Sequence, residues 1–322
     1  MKAIQIQKNG GPEVMKPVEV AAPQAAPGQP LVKLEAAGVN FIDVYHRSGL
    51  YPVDLPYTLG VEGAGVVQEA GEGSEPFRAG DRVAWVGVAG SYAEYAVVPA
   101  DRLVRIPEGV GFREAAAAML QGMTAHYLAF DTYALGPADT ALIHAAAGGV
   151  GQLLVQLAKQ RGARVLSTVS TEAKAELARK AGADEVILYT REDFEEQARR
   201  LTGGRGVNVV YDSVGQATFL KSLGCLALRG TLVSFGQSSG KIDAFDPALL
   251  GAKGSLYLTR PSLFHYVADR ESLERRAAEV LGWVASGKLR LHIGETFPLE
   301  QAAEAHRRLE ARKTVGKVVL LP

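Results

Sequence analysis

The stretch that most constrains this chain is Ala141-Leu142-Ile143-His144-Ala145-Ala146-Ala147-Gly148-Gly149-Val150-Gly151-Gln152-Leu153-Leu154-Val155-Gln156-Leu157-Ala158, an apolar run that passes through a glycine-rich turn into a helical pattern. Ala141–Ala145 reads as a short buried strand, and Val150, Leu153, Leu154, Leu157 and Ala158 then recur at i, i+3, i+4, i+7 and i+8, one face of a helix packed on a sheet. A strand, a glycine turn and a helix in that order bring backbone N–H groups and the positive helix end to one point, where a pyrophosphate can sit. The reading is a dinucleotide site. Its spacing departs from G-x-G-x-x-G, because Ala146 or Ala147 stands where the first glycines would fall, so the surrounding pattern must carry the inference.

That pattern continues. Strand-like Arg164–Thr168, Glu185–Leu188, Val207–Tyr211 and Thr231–Phe235 alternate with helical Lys174–Ala181, Asp193–Leu201 and Ala217–Leu226, which implies a parallel, doubly wound sheet. Residues 1 to about 115 differ: Leu31–Ala36, Gly63–Glu69, Arg82–Val88, Ser91–Val98 and Leu103–Ile106 are short β-type runs punctuated by Gly and Pro, as in a compact barrel or folded sheet. Helical character returns at Arg113–Tyr127. From about Pro261 come two helical stretches, Leu273–Ala285 and Leu299–Ala311, and a closing strand, Gly316–Leu321, which most simply completes the N-terminal domain's sheet. The chain is therefore expected to leave that domain and return to it, with 1–122 and 260–322 forming one domain and 123–259 the nucleotide domain; its 322 residues suit two.

With 35 basic and 35 acidic residues, the chain carries no electrostatic footprint for nucleic acid or an anionic membrane, and a small molecule is the expected partner. The single cysteine, Cys225, excludes an intramolecular disulfide and closes the option of a structural zinc lobe, which needs several thiolates. Met1–Gln7 reads as a strand without the apolar core of a signal peptide, and no apolar run is long enough to span a bilayer, so a cytoplasmic protein is expected. The six histidines, at 46, 126, 144, 265, 292 and 306, form no H-E-x-x-H pair, and each is expected to be structural or solvent-exposed. Gly236-Gln237-Ser238-Ser239-Gly240 matches the G-x-S-x-G elbow of serine hydrolases, yet Lys241–Pro247 after it reads as loop where an elbow needs a helix. A loop following a late strand of a doubly wound sheet lies at the carboxyl edge, so Phe235, Gln237 and Ser238 are expected against the nicotinamide half of a dinucleotide.

Three segments together resemble a known family: Asn40-Phe41-Ile42-Asp43-Val44-Tyr45-His46-Arg47-Ser48-Gly49-Leu50-Tyr51-Pro52, Ala145–Gly151, and Val233–Gly240 are similar to the signatures of the zinc-free quinone oxidoreductases, zeta-crystallin among them, within the medium-chain dehydrogenase/reductase superfamily. The likeness runs from Met1-Lys2-Ala3-Ile4 to Leu320-Leu321-Pro322. Where zinc alcohol dehydrogenases of that superfamily carry Gly-His-Glu, this chain has Gly60-Val61-Glu62, and Val39-Asn40 stand where their first zinc cysteine would be, so no metal is expected. The resemblance implies a GroES-like catalytic domain, a Rossmann domain, and NADPH-dependent quinone reduction in the cleft between them. It places Asn40, Asp43, Tyr45 and Tyr51 at the substrate and nicotinamide end, and maps Thr124, Ala145, Ala147, Gly148, Gly149, Val150 and Gly151 onto cofactor positions. Asn40 and Asp43 equally suit the cap of a helix over 41–48, and Tyr45 and Tyr51 suit barrel packing.

Quinone reduction puts negative charge on an oxygen, which hydroxyl or amide donors such as Tyr45, Tyr51 and Asn40 are suited to stabilise while solvent delivers the proton. Relatives on this scaffold reduce activated carbon–carbon double bonds of enals, enones or enoyl thioesters, and a non-catalytic NADPH-binding role is a further alternative. The resemblance implies a homodimer through the Rossmann sheet edge near Ser255-Leu256-Tyr257-Leu258, an apolar strand that would otherwise be unprotected. For the cofactor, NAD-preferring domains place an acidic residue about 20 positions past the glycine turn. Here that count lands in Ser167-Thr168-Val169-Ser170-Thr171, uncharged, with Lys174 following. The resemblance puts Lys174 at the 2′-phosphate of NADP, Ser170 beside it and Tyr189 near the adenine, with Glu172 able to blunt the preference if it points inward.

Overall fold

The computed structural model describes residues 1–322. Its strands and helices, in chain order, are β1 (Lys2–Ile6), β2 (Lys16–Glu19), β3 (Leu31–Val39), α1 (Phe41–Ser48), β4 (Tyr57–Thr58), β5 (Glu62–Glu69), β6 (Arg82–Val86), β7 (Tyr95–Val97), β8 (Leu103–Arg105), α2 (Phe112–Tyr127), β9 (Thr140–Ile143), α3 (Gly149–Gln160), β10 (Arg164–Val169), α4 (Glu172–Ala181), β11 (Glu185–Leu188), α5 (Phe194–Leu201), β12 (Val207–Asp212), α6 (Phe219–Cys225), β13 (Leu226–Ser234), α7 (Ala248–Ala252), β14 (Tyr257–Thr259), α8 (Leu263–Tyr266), α9 (Arg270–Ala285), β15 (Ile293–Pro298), α10 (Ala302–Glu310) and β16 (Lys317–Leu321). They form two compact units, Met1–Met123 with Val267–Pro322, and Thr124–Tyr266.

In the first unit β16 does pair antiparallel with β3, in a sheet ordered β15-β16-β3-β5-β6-β8, while β2-β1-β4 form a second, smaller sheet. Ile4, Ile6, Val32, Leu34, Trp85, Tyr92, Leu103 and Leu320 share one buried core. β15 has no sequence signal, since Ile293–Pro298 carries a half-buried, half-exposed alternation with a glycine and a glutamate in it. The run Ser91–Val98 yields only the short β7, because Ser91–Ala93 is drawn instead toward Gly60, Leu59 and Ile4 by backbone hydrogen bonds.

The second unit is a parallel sheet ordered β11-β10-β9-β12-β13-β14. Numbered within the unit this is 3-2-1-4-5-6, so the strand order reverses between β9 and β12, and a ligand of such a sheet lies outside the carboxyl ends there. The central strands are buried on both faces, which is why they read as continuous apolar runs. This unit extends past residue 259 to Tyr266, for two physical reasons: Arg260 Nη1 donates to Ser234 O (2.8 Å), and Tyr266 stacks on Tyr127 (4.2 Å) while its hydroxyl lies 2.9 Å from Thr132 Oγ1.

Candidate active site

In the first unit the residues of interest surround α1. Asn40 precedes the helix with extended backbone (φ −139°, ψ 158°), and Asp43 Oδ2 accepts the Asn40 N–H at 2.8 Å, satisfying a donor that the helix start leaves open. Gly49 closes the helix at φ +81°, a left-handed conformation that glycine adopts without steric cost.

Asn40 and Asp43 form a capping box at the start of α1, and the Asn40 side chain is also turned inward. Its Nδ2 donates to Glu62 Oε2 (2.8 Å) and Gly38 O (3.3 Å), and its Oδ1 accepts from Lys317 Nζ (2.8 Å) and Gln121 Nε2 (3.2 Å). Both amide hydrogens are spent inside the protein. Glu62 and Lys317 form a buried ion pair at 2.5 Å, and Glu62 Oε1 accepts the Leu120 N–H as well. Burial pushes the Lys317 ammonium down from its usual range, against the pull of Glu62.

Asp43 is fully buried, and all its hydrogen bonds fall on Oδ2, which also accepts from Tyr92 Oη (3.0 Å); Oδ1 has no partner. Burial raises its pKa from 3.8 to about 7 against those two bonds. Behind Tyr92 the hydrogen-bond directions are fixed by Arg47, which only donates: Nη1 reaches His306 Nδ1 at 3.1 Å, so His306 carries its hydrogen on Nε2, facing Tyr92 Oη at 3.2 Å. Arg47 also holds Glu310 through two bonds of 2.7 and 2.8 Å.

Tyr45 and Tyr51 meet edge to face at 5.1 Å, and the contact extends to rings that sequence reading did not single out. Phe41 lies 6.2 Å from Tyr45, His46 lies 6.2 Å from Tyr51, and Tyr57 lies 5.7 Å from His46. His46 Nδ1 is buried without a partner, and burial pushes the ring's pKa down, which favours its neutral form. The 3.6-residue period of α1 and the distance from His46 to Tyr57 along the chain conceal the cluster in the sequence.

In the second unit the turn between β9 and α3 places its strained residue at Ala145, an alanine at φ +50°. Gly148 donates to Ala145 O (2.9 Å) and precedes α3 with no side-chain cap, so the first N–H groups of the helix have no side-chain partner. Gly151 admits no side chain: a Cβ there would lie 2.7 Å from Ala146 Cα. Ala147 O accepts Gln152 Nε2 (2.8 Å), and Gly148, Gly149 and Val150 remain half-buried. At the ends of β10 and β11, Thr190 Oγ1 donates to Ser170 O (3.0 Å) and the Tyr189 N–H to Val169 O (3.2 Å), which brings Tyr189 beside the strand end leading to Lys174. Glu172 pairs with Arg179 at 2.6 Å, along its own helix. The loop after β13 is laid on the loop after β12: Phe235 N–H bonds Asp212 O (2.8 Å), Ser238 N–H bonds Ser213 O (3.2 Å) and Ser239 N–H bonds Val214 O (2.8 Å). No helix follows Ser238 before Ala248, so the hydrolase elbow lacks its defining element. Thr124 is buried at the beginning of this unit.

Compared with known proteins, residues 26–108 match the family described as alcohol dehydrogenase GroES-like domain, and residues 181–320 the family described as zinc-binding dehydrogenase. A quinone oxidoreductase of Pseudomonas aeruginosa is 46% identical, aligned over 100% of this chain and 99% of its own. A 2-haloacrylate reductase of a Burkholderia species is 42% identical over 99% of this chain and 98% of its own. Among solved structures, Escherichia coli quinone oxidoreductase complexed with NADPH superposes with a TM-score of 0.98 at 44% identity, and a mycobacterial protein complexed with NADPH with 0.97 at 47%, each covering 100% of both chains. The zinc of the second family's description does not fit the side chains here. Position 61 is valine, Glu62 is bonded to the Lys317 ammonium, the one cysteine is buried on α6, and no three His, Cys, Asp or Glu residues cluster to hold a metal.

Proposed function

The chain belongs to the zinc-free quinone oxidoreductases of the medium-chain dehydrogenase/reductase superfamily, and from that premise we propose that it reduces quinones with NADPH and without a metal. The residues present fit the cofactor. Gly149 and Val150 offer uncapped N–H groups at the switch point, Gly151 lets the turn pack closely on the helix start, and the one acid in the first turn after β10, Glu172, is held by Arg179. Lys174 and Ser170 would hold the 2′-phosphate, Tyr189 the adenine, the 145–151 turn the pyrophosphate, and Phe235, Gln237, Ser238 and Thr124 the nicotinamide end. When bound, NADPH supplies the hydride.

The observation that carries the choice of substrate is the aromatic cluster Phe41, Tyr45, Tyr51, His46 and Tyr57. A planar, neutral quinone suits such a surface, and the one cation on α1, Arg47, is committed to Glu310 and His306. Tyr45 and Tyr51 would face the oxygen on which charge develops. Asn40 acts at one remove, because its amide is engaged with the protein, and Asp43 fixes the start of α1 through Oδ2. Oxidation of NADPH across a panel of quinones and enones tests the reading. The 42% identity to a 2-haloacrylate reductase supports a second reading, reduction of activated carbon–carbon double bonds, and the same panel separates the two.

We also infer a homodimer through β14. This strand ends the sheet; Tyr257 on it is 62% exposed, and Leu228 on the neighbouring β13 is 80% exposed. Sedimentation showing only monomer at micromolar concentration would count against it. No helix is long and apolar enough to cross a membrane.

A further inference from the structure

His144 follows β9 directly, one residue before the left-handed Ala145, and its ring is buried where the order of the Rossmann sheet reverses. Each ring nitrogen has one partner: Nδ1 lies 2.8 Å from Thr168 Oγ1 on β10, and Nε2 lies 3.0 Å from Ser222 Oγ on α6. Ser222 donates its own hydrogen to Asp212 Oδ2 (3.0 Å), so a lone pair of Ser222 faces the ring. Nε2 therefore carries the hydrogen and Nδ1 accepts that of Thr168. Burial pushes the ring's pKa down against the pull of Asp212, in keeping with a neutral imidazole.

The chain of donors ends on Asp212, the last residue of β12. Its Oδ2 also accepts from Thr218 Oγ1 (2.7 Å), and its Oδ1 accepts the N–H groups of Val214 (2.7 Å) and Gly215 (3.0 Å). Those two bonds set the loop on which Phe235, Ser238 and Ser239 are laid. At the other end, Thr168 O accepts the Ala146 N–H (3.3 Å) and Thr168 stands two residues before Ser170. A single directional series, Thr168 to His144 to Ser222 to Asp212, thus ties together the ends of β10, β9 and β12 and, through the loop at 213–215, the end of β13.

Resting on the dinucleotide reading above, we propose that His144 is a positioning residue for the cofactor: as the Nε2–H tautomer it sets the spacing between the phosphate turn and the loops after β10 and β13, and so governs dinucleotide affinity without touching the reacting atoms. The turn serves NADPH and NADH alike, whereas a contact to the 2′-phosphate serves NADPH alone. His144→Phe keeps a ring and removes both hydrogen bonds, Thr168→Val removes only the partner of Nδ1, and His144→Asn retains one donor and one acceptor. His144→Phe is expected to raise KM and Kd for both cofactors about tenfold while kcat at saturating cofactor stays within about twofold. Thr168→Val should show part of that rise, and His144→Asn should recover most of it. Nitrogen-15 NMR of the NADPH-bound parent should show the Nε2–H tautomer unchanged from about pH 5.5 to 8. Lower melting temperatures with unchanged cofactor constants would overturn the proposal, as would a rise confined to NADPH, an Nδ1–H tautomer or an imidazolium. The Kd values need no substrate, so failure of the parent to reduce quinones would sink the proposed activity and leave this test standing.

Discussion

Each unit buries one aspartate beside a histidine, and the two aspartates are treated in opposite ways. Asp212 has both oxygens occupied by four donors, two backbone N–H groups and two hydroxyls. Asp43 has two donors on Oδ2 and none on Oδ1, and burial lifts it to about pKa 7. A carboxylate surrounded by donors holds loops in place. One that is half-served becomes a group whose charge is negotiable near neutrality.

At a fixed pH, a large effect should come from emptying the well-served position. Asp212→Ala leaves the N–H groups of Val214 and Gly215 and the Ser222 hydroxyl without that acceptor, while Thr218 Oγ1 keeps Gly215 O (3.1 Å); this costs about 3 kcal/mol or more and is measured by chemical denaturation. A loss below about 1 kcal/mol would mean that water or a shifted loop replaces the carboxylate, and the contrast with Asp43 would dissolve.

Lys174→Ala comes next, and probes the Rossmann side through its ligand. It should raise KM for NADPH by an amount equivalent to about 1.5–3 kcal/mol while changing that for NADH little. Equal losses with both cofactors would remove Lys174 from the 2′-phosphate.

For Asp43 the informative variable is pH. Its folded pKa is raised from 3.8 to about 7, so its contribution is fully present below about pH 4 and is lost as pH rises toward 7. His306, across Tyr92, is lowered from 6.5 to about 3 by burial, with Arg47 adding to it, so stability that is present above about pH 6.5 is lost as pH falls toward 3. The two slopes oppose each other over most of the same window, and the parent should show little net dependence from this pair. Relative to the parent, Asp43→Asn should gain stability as pH rises from about 4 to 7, by up to about 1.4 kcal/mol per unit. A flat difference between variant and parent would place the Asp43 pKa near its ordinary value.

How much of this was legible in the sequence differs between the units for the same physical reason. The Rossmann sheet is built from local repeats, so its strands, its helices and the turn at Ala145–Gly151 could be read from periodicity, and the return of β16 to the first sheet followed from one closing apolar run. The polar interior is non-local. Glu62 meets Lys317 from 255 positions away and Arg47 meets His306 from 259, separations that no spacing rule reaches. Asn40 illustrates the limit most clearly: its place before α1 suited both a cap and a substrate donor, and no spacing rule shows that its amide also meets Gly38, Glu62, Lys317 and Gln121. His144 was hidden by its type, since a buried histidine in an apolar strand carries no signal of partners on β10 and α6.

The smallest effect belongs to the metal and the most direct test to the reaction. Steady-state oxidation of NADPH should be measured with neutral quinones and with 2-haloacrylate, before and after dialysis against a strong chelator. Turnover is expected with the quinones, preferred over the acrylate anion, at a rate that the chelator leaves unchanged. No NADPH oxidation with any quinone, or activity that vanishes on dialysis and returns with zinc, would contradict it.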